Sequence, residues 1–123
     1  MQVHHSLDFI KPIPAPVVTV GSFDGVHVGH RVIIQRLNDL AAKVAGASVL
    51  ITFSPHPRKV LYPDTAGKNL KMISSFSEKC LLLEEAGLDH LVVIEFTRDF
   101  ARTSSDEFVK DYLLDKLHAH TLV

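Results

Sequence analysis

A chain of 123 residues has room for one domain, and with 46% hydrophobic and 22% charged residues it has the apolar content to bury a core rather than stay disordered. Its formal net charge of −1 lacks the basic excess of a dedicated nucleic-acid binder, and no apolar run approaches the ~20 residues of a membrane span. The single cysteine, Cys80, excludes an internal disulfide, and the N-terminus lacks the charged start and apolar run of a signal peptide, so a cytoplasmic protein is expected.

Pro12, Pro14 and Pro16 punctuate an irregular lead-in over residues 1–16, in which His4 and His5 read as solvated surface. Residues 17–20, Val-Val-Thr-Val, are expected to form a strand buried on both faces, as in a central parallel strand. After a glycine-rich turn over residues 21–30, Ile33, Leu37, Leu40, Ala41 and Val44 recur at helical spacing, with Gly46 as the C-terminal stop. Residues 49–53 read as a second buried strand, so strand, helix and strand make one right-handed βαβ unit.

Residues 54–73 break this rhythm with Pro55, Pro57 and Pro63 and carry Arg58, Lys59, Lys68 and Lys71. A loop this long inside a small domain is either functional or disordered. Ser75 and Glu78 have capping-box spacing ahead of a helix whose inner face is Phe76, Cys80 and Leu83 and whose end is Gly87. Residues 91–94 read as a third buried strand. Ser104 and Glu107 offer another capping box, before an amphipathic helix carrying Phe108, Val109, Tyr112, Leu113 and Leu117. Residues 121–123 read as the start of a fourth strand, which points to a fragment or a shortened chain. The expected fold is α/β: a Rossmann-like parallel sheet with flanking helices, C-terminally incomplete, occupying residues 17–123.

The chemistry concentrates in residues 21–30, Gly-Ser-Phe-Asp-Gly-Val-His-Val-Gly-His. A glycine-rich turn between a buried strand and a helix start lets the backbone approach a ligand closely, and the unpaired N–H groups and dipole of the helix start favour an anion. His27 and His30, three residues apart, can present both imidazoles on one side. Phosphate binding is the preferred reading. Two others stay open: a metal site from Asp24, His27 and His30, for which one carboxylate and two imidazoles are an incomplete ligand set, and a tight turn with two surface histidines. The spacings of the dinucleotide fingerprint and of the P-loop are both absent from the sequence.

The same residues resemble the first motif of the nucleotidyltransferases with a histidine-x-glycine-histidine signature. The wider succession is closer still: residues 19–30, then Thr52-Phe53-Ser54-Pro55-His56-Pro57-Arg58, then Glu78-Lys79 with Leu82-Leu83, then Phe96-Thr97 with Phe100-Ala101. It resembles the N-terminal FMN adenylyltransferase module of the bacterial bifunctional riboflavin kinase/FMN adenylyltransferases. The resemblance implies transfer of AMP from ATP to the phosphate of FMN, giving FAD and pyrophosphate with Mg²⁺ and without a protein nucleophile. It implies that His27 and His30 hold the ATP phosphates and stabilise the transition state. Gly21, Ser22, Phe23 and Asp24 would shape the nucleotide pocket, and Gly29 would allow close phosphate approach. His56 and Pro57 would lie toward the flavin. Cys80 is expected in the core, and Arg98 and Arg102 on the surface. The resemblance also implies partners in the same polypeptide: the family continues with a second, Ser/Thr-rich phosphate motif and a riboflavin kinase module, neither of which occurs in residues 1–123. Two alternatives follow, another nucleotidyltransferase of the same superfamily or a folded but inactive nucleotide-binding module.

Overall fold

Short apolar runs alternating with helical repeats produce a five-stranded, fully parallel sheet in the computed structural model, which describes residues 1–8, 10–21, 28–54 and 76–123. The elements are β1 (Gln2–His4), β2 (Pro16–Val20), helix α1 (Val28–Lys43), β3 (Ala47–Ser54), helix α2 (Phe76–Glu85) and β4 (His90–Glu95). There follow a 3₁₀ turn (Phe100–Arg102), one α-helical turn (Ser105–Glu107) that runs into a π-helical segment (Phe108–Lys116), and β5 (Thr121–Leu122). The sheet order is β1-β4-β3-β2-β5.

Direction of travel decides which face each connection covers, because parallel crossovers are right-handed. The steps from β2 to β3 and from β3 to β4 run one way across the sheet. Their helices, α1 and α2, share a core with Val17, Leu50 and Leu91 through Ile34, Leu37 and Leu83. The steps from β1 to β2 and from β4 to β5 run the other way. Leu7 and Ile13 of the first and Leu113 and Leu117 of the second pack on Val18, Ile51 and Val92 on the opposite face. Consecutive strand residues therefore serve different cores, as a pleated strand buried on both faces requires.

The lead-in departs from the irregular segment expected over residues 1–16: Gln2–His4 is an edge strand, with Gln2 opposite His90 and His4 opposite Val92. Gln2, Val3 and His4 carry only one apolar side chain and so no apolar run, and the strand is invisible to periodicity. Nor is His4 solvated surface; it is half-buried, with Nε2 3.1 Å from Nδ1 of His90. The terminal strand is accordingly the fifth, not the fourth, with Thr121 beside Val17 and Leu122 beside Val18.

In α1 the buried stripe is Ile34, Leu37 and Ala41, whereas Ile33 is 38% exposed. With isoleucine at both 33 and 34, spacing gives the period but not the phase. The helix ends in a Schellman arrangement, the Gly46 N–H donating to the Ala41 carbonyl at 2.8 Å and the Ala45 N–H to that of Ala42 at 3.3 Å. The left-handed residue there is Ala45, at φ 53°, rather than Gly46. Gly46 serves a different need, since an added Cβ would fall on the Ala15 carbonyl. At the end of α2 the expectation holds: Gly87 has φ 89° and the Leu88 N–H reaches the Leu83 carbonyl at 3.1 Å.

The capping serine at position 104 also behaves as expected, its Oγ accepting from the Glu107 N–H at 3.1 Å. The proposed cap at Ser75 lies outside the described residues. Beyond Glu107 the expected α-helix is replaced by π-helical turns, with the Leu117 N–H bonded to the Tyr112 carbonyl at 3.1 Å. Residues five apart in an α-helix stand about 140° apart. The wider turn lets Phe108 and Leu113, and Tyr112 and Leu117, all reach the second core.

Candidate functional site

Strands β2, β3 and β4 step across the sheet in one direction, and β5 then returns to the far side of β2. In an open parallel sheet the crevice beyond the carboxyl ends of the strands at such a reversal is where ligands bind. The turn over residues 21–30 leaves the carboxyl end of β2, at this reversal. Gly21 is half-buried and fixed one residue past the strand, its N–H donating to the Ile51 carbonyl at 2.9 Å. Ser22, Phe23, Asp24 and His27 lie outside the described residues, as do His56, Pro57 and the rest of the basic loop. Gly29 and His30 are described through their backbone, which forms the first turn of α1. That turn carries no acidic residue, so its dipole is left to act on a ligand.

Beside the carboxyl end of β2 lies a cavity of about 490 Å³ whose walls include Val20, Phe53, Phe96, Phe100 and Phe108, together with Ser104. Val20 joins cavity and turn directly, being the residue before Gly21. The aromatic rings form one connected cluster. Phe53 meets Phe96 edge to face at 5.7 Å and Phe100 at 5.7 Å, and Phe108 stacks on Tyr112 at 5.4 Å. Five of the nine aromatic residues of the chain converge here, Phe53, Phe96, Phe100, Phe108 and Tyr112. In the sequence these residues read only as helix or motif positions, with no place in the site. The missed signal was their spacing along three separate carboxyl-end segments, Phe53 after β3's buried run, Phe96 and Phe100 after β4, and Phe108 at the next helix start.

On the other face, Lys79 of α2 is only 8% exposed and its Nζ donates to Thr52 Oγ1 at 3.2 Å. Val20 is paired with Ile51, so Thr52 stands beside the start of the turn. An ammonium in so buried a place is costly unless neighbouring polar or charged groups offset its desolvation. Nothing local in the sequence marks Lys79 for this place. Its neighbour Cys80 is half-buried against the first core, as expected, and burial is the main cause that pushes its thiol up, away from a reactive thiolate. Arg98 and Arg102 are exposed, the latter 3.7 Å from Asp99.

A second cavity, about 500 Å³, is lined by Asp8, Glu95, Asp99 and Lys116 among others. Lys116 is already engaged by Asp8 at 2.8 Å, a contact that holds the Asp8 carboxyl low and raises the ammonium. The remaining carboxylates make that cavity repulsive to a polyphosphate.

The profile of the FAD synthetase family matches residues 11–123. A FAD synthetase of Listeria monocytogenes is 36% identical over 124 aligned residues, covering all of this chain and 49% of that protein. The bifunctional riboflavin kinase/FMN adenylyltransferase of Bacillus subtilis is 34% identical over 93% of this chain and 36% of its own length. The corresponding Escherichia coli K12 protein is 33% identical over 86% of this chain and 33% of its own length. Among solved structures, a Streptococcus pneumoniae protein described as a macrolide-efflux protein superposes with a TM-score of 0.85 at 26% identity, over 98% of this chain and 46% of that one. The chain thus spans between a third and a half of the length of these relatives.

Proposed function

The chain belongs to the FAD synthetase family, and on that premise we propose that it is the ATP- and FMN-binding part of an FMN adenylyltransferase whose whole polypeptide also phosphorylates riboflavin. The observation that carries this reading is the joining of Val20, in the wall of the aromatic cavity, to Gly21, where the phosphate turn begins at the strand-order reversal. An isoalloxazine ring is planar and aromatic and suits the Phe53–Phe100–Phe108 walls. Its phosphate tail would then point toward the turn and the start of α1.

A phosphate oxygen of FMN attacks the α-phosphorus of ATP, the bond from that phosphorus to the bridging oxygen breaks, and pyrophosphate leaves with the electron pair. FAD forms without a covalent protein intermediate. The protein contributes alignment and charge stabilisation. His27 and His30 are assigned to the ATP phosphates, with the N–H groups of the α1 start beside them. Gly21, Ser22, Phe23, Asp24 and Gly29 are assigned to the nucleotide pocket, and His56 and Pro57 to the flavin side. Lys79 adds a positive charge behind the turn. Mg²⁺ enters as the ATP complex, held by substrate phosphates and water. No described helix is long and apolar enough to cross a membrane, and the work is assigned to the cytoplasm.

Titration of FMN and of ATP into the chain, followed by flavin fluorescence and calorimetry, tests the binding part. Saturable binding of both is expected; failure of both would leave a folded module without ligand function. In the full-length parent, His27→Ala and His30→Ala are expected to abolish FAD formation while the fold persists, and near-normal turnover in both would remove their assigned role. A panel of nucleotides and acceptors separates FMN adenylylation from other nucleotidyl transfers.

A further inference from the structure

We propose that His4 and His90 form a two-imidazole site for a divalent transition-metal ion of the zinc type, which staples the edge strand β1 to β4. The two side chains come from neighbouring parallel strands, two register positions apart: Gln2 lies opposite His90 and His4 opposite Val92. Both project on the same face, where the lead-in crosses, and with Ile10, Lys11 and Pro12 they line a cavity of about 360 Å³. The rings lie nearly parallel, 26° apart with centroids at 5.3 Å, and His4 Nε2 stands 3.1 Å from His90 Nδ1.

That distance is the core of the inference. Two nitrogens bound to one tetrahedral zinc at ~2.0–2.1 Å stand roughly 3.4 Å apart. The nitrogen separation is thus within a few tenths of an ångström of that of a chelating pair, and a small tilt of the rings would bring both nitrogens to bear on an ion set to one side of the N···N line. Binding also needs the donor ring to carry its proton on the other nitrogen, so both lone pairs converge. Imidazole is a preferred ligand for zinc, copper and nickel. Burial lowers both histidines from their ordinary value, which favours the neutral form that can ligate a metal. Of the charges nearby, Asp89 opposes that lowering at His90 while His4 and the N-terminal ammonium reinforce it. Lys11 lines the cavity and disfavours a cation. The Met1 ammonium is partly offset by Glu84 at 3.6 Å. Among the described residues no third histidine, cysteine or carboxylate joins the pair, so water completes the coordination. The site is remote in chain and sheet position from the β2–β5 reversal and stands independently of the function proposed above.

Zinc chloride titrated into the chain at pH 7.5 tests this, read by calorimetry and by imidazole ¹H–¹⁵N correlation spectra. One equivalent is expected to shift the ring resonances of His4 and His90 together, with binding weakened at least tenfold at pH 5.5. His4→Gln and His90→Gln should each reduce that affinity at least tenfold, and His5→Gln should leave it unchanged. If either variant fails to fold, the spectra of the unmodified chain decide. Zinc that leaves both rings unmoved, or shifts only other histidines, overturns the proposal, as does unchanged affinity in a folded His4→Gln chain.

Discussion

The carbonyl of Ala15 occupies the space that a side chain at Gly46 would need, with Ala15 Cβ only 2.9 Å from an added Cβ. The contact locks the entry to β2 against the turn between α1 and β3, since Pro16 and Ala47 pair in the next register position. Gly46→Ala is expected to lower stability by roughly 1–3 kcal/mol through backbone displacement. Its neighbour behaves oppositely. Ala45 sits at φ 53°, so Ala45→Gly removes left-handed strain and should raise stability by up to about 1 kcal/mol. Urea unfolding of the two variants checks both signs.

Phe108 stacks on Tyr112 at 5.4 Å and meets Phe100 edge to face at 6.0 Å in the wall of the aromatic cavity. Phe108→Leu keeps apolar volume and removes the π face. Stability should fall by less than about 1.5 kcal/mol, while FMN affinity drops roughly fivefold or more, the worth of one aromatic contact. Fluorescence titration measures the second effect, and an unchanged affinity would move the flavin elsewhere.

Lys79 separates charge from packing in the same way. Lys79→Met preserves the buried stem and removes an ammonium 3.2 Å from Thr52 Oγ1. Removing the ammonium leaves its buried partners unsatisfied, so stability should fall by roughly 1–3 kcal/mol. ATP affinity is expected to fall roughly tenfold, ~1.4 kcal/mol, with FMN fluorescence at saturation unaltered. Calorimetry with ATP distinguishes this from a purely structural lysine, whose loss would move stability and not affinity.

The metal-free His4–His90 pair makes the fold sensitive to acid. Burial depresses both imidazoles below the ordinary 6.5, at His90 with help from His4 and the N-terminus and against Asp89. A depressed group binds fewer protons folded than unfolded, so its stabilisation is full above 6.5 and is lost as pH falls through the folded value. Unfolding free energies at pH 7.5 and 5.5, measured with a chelator present, should differ more in the unmodified chain than in His4→Gln/His90→Gln. An equal difference in both would assign the acid sensitivity to other groups.

Much of this architecture was legible beforehand. Strands buried on both faces announce themselves as apolar runs, which is why β2, β3 and β4 were found within a residue or two. Gly87 and Ser104 act through local backbone needs, a left-handed φ and an unpaired N–H, that neighbouring residues state. The misses share a cause. β1 is an edge strand whose pairing, not its composition, makes it a strand. Ile34 replaces Ile33 because the direction of the core is set by β2 and β3. The π turns answer the spacing of Phe108, Tyr112, Leu113 and Leu117 against a sheet they meet only in space. Of the site, the Gly21 anchor and the α1 start were readable as a motif, whereas Phe53, Phe96, Phe100 and Phe108 were separate landmarks until the sheet gathered them.

By itself the order of residues determined the alternation of strand and helix, the glycine-rich turn ending the first long strand, and the family to which such a turn followed by Phe53-Ser54-Pro55-His56-Pro57 belongs. Those properties are local: each depends on propensities and backbone freedom within a few residues. Tertiary structure decided the rest. The return of β5 to β2 placed a strand-order reversal at the carboxyl end of β2, the opposed directions of crossover put an aromatic wall on one face and a buried lysine on the other, and parallel register brought His4 against His90, 86 positions away. These are relations between segments distant in sequence, set by chain direction and sheet order, and no local pattern encodes them.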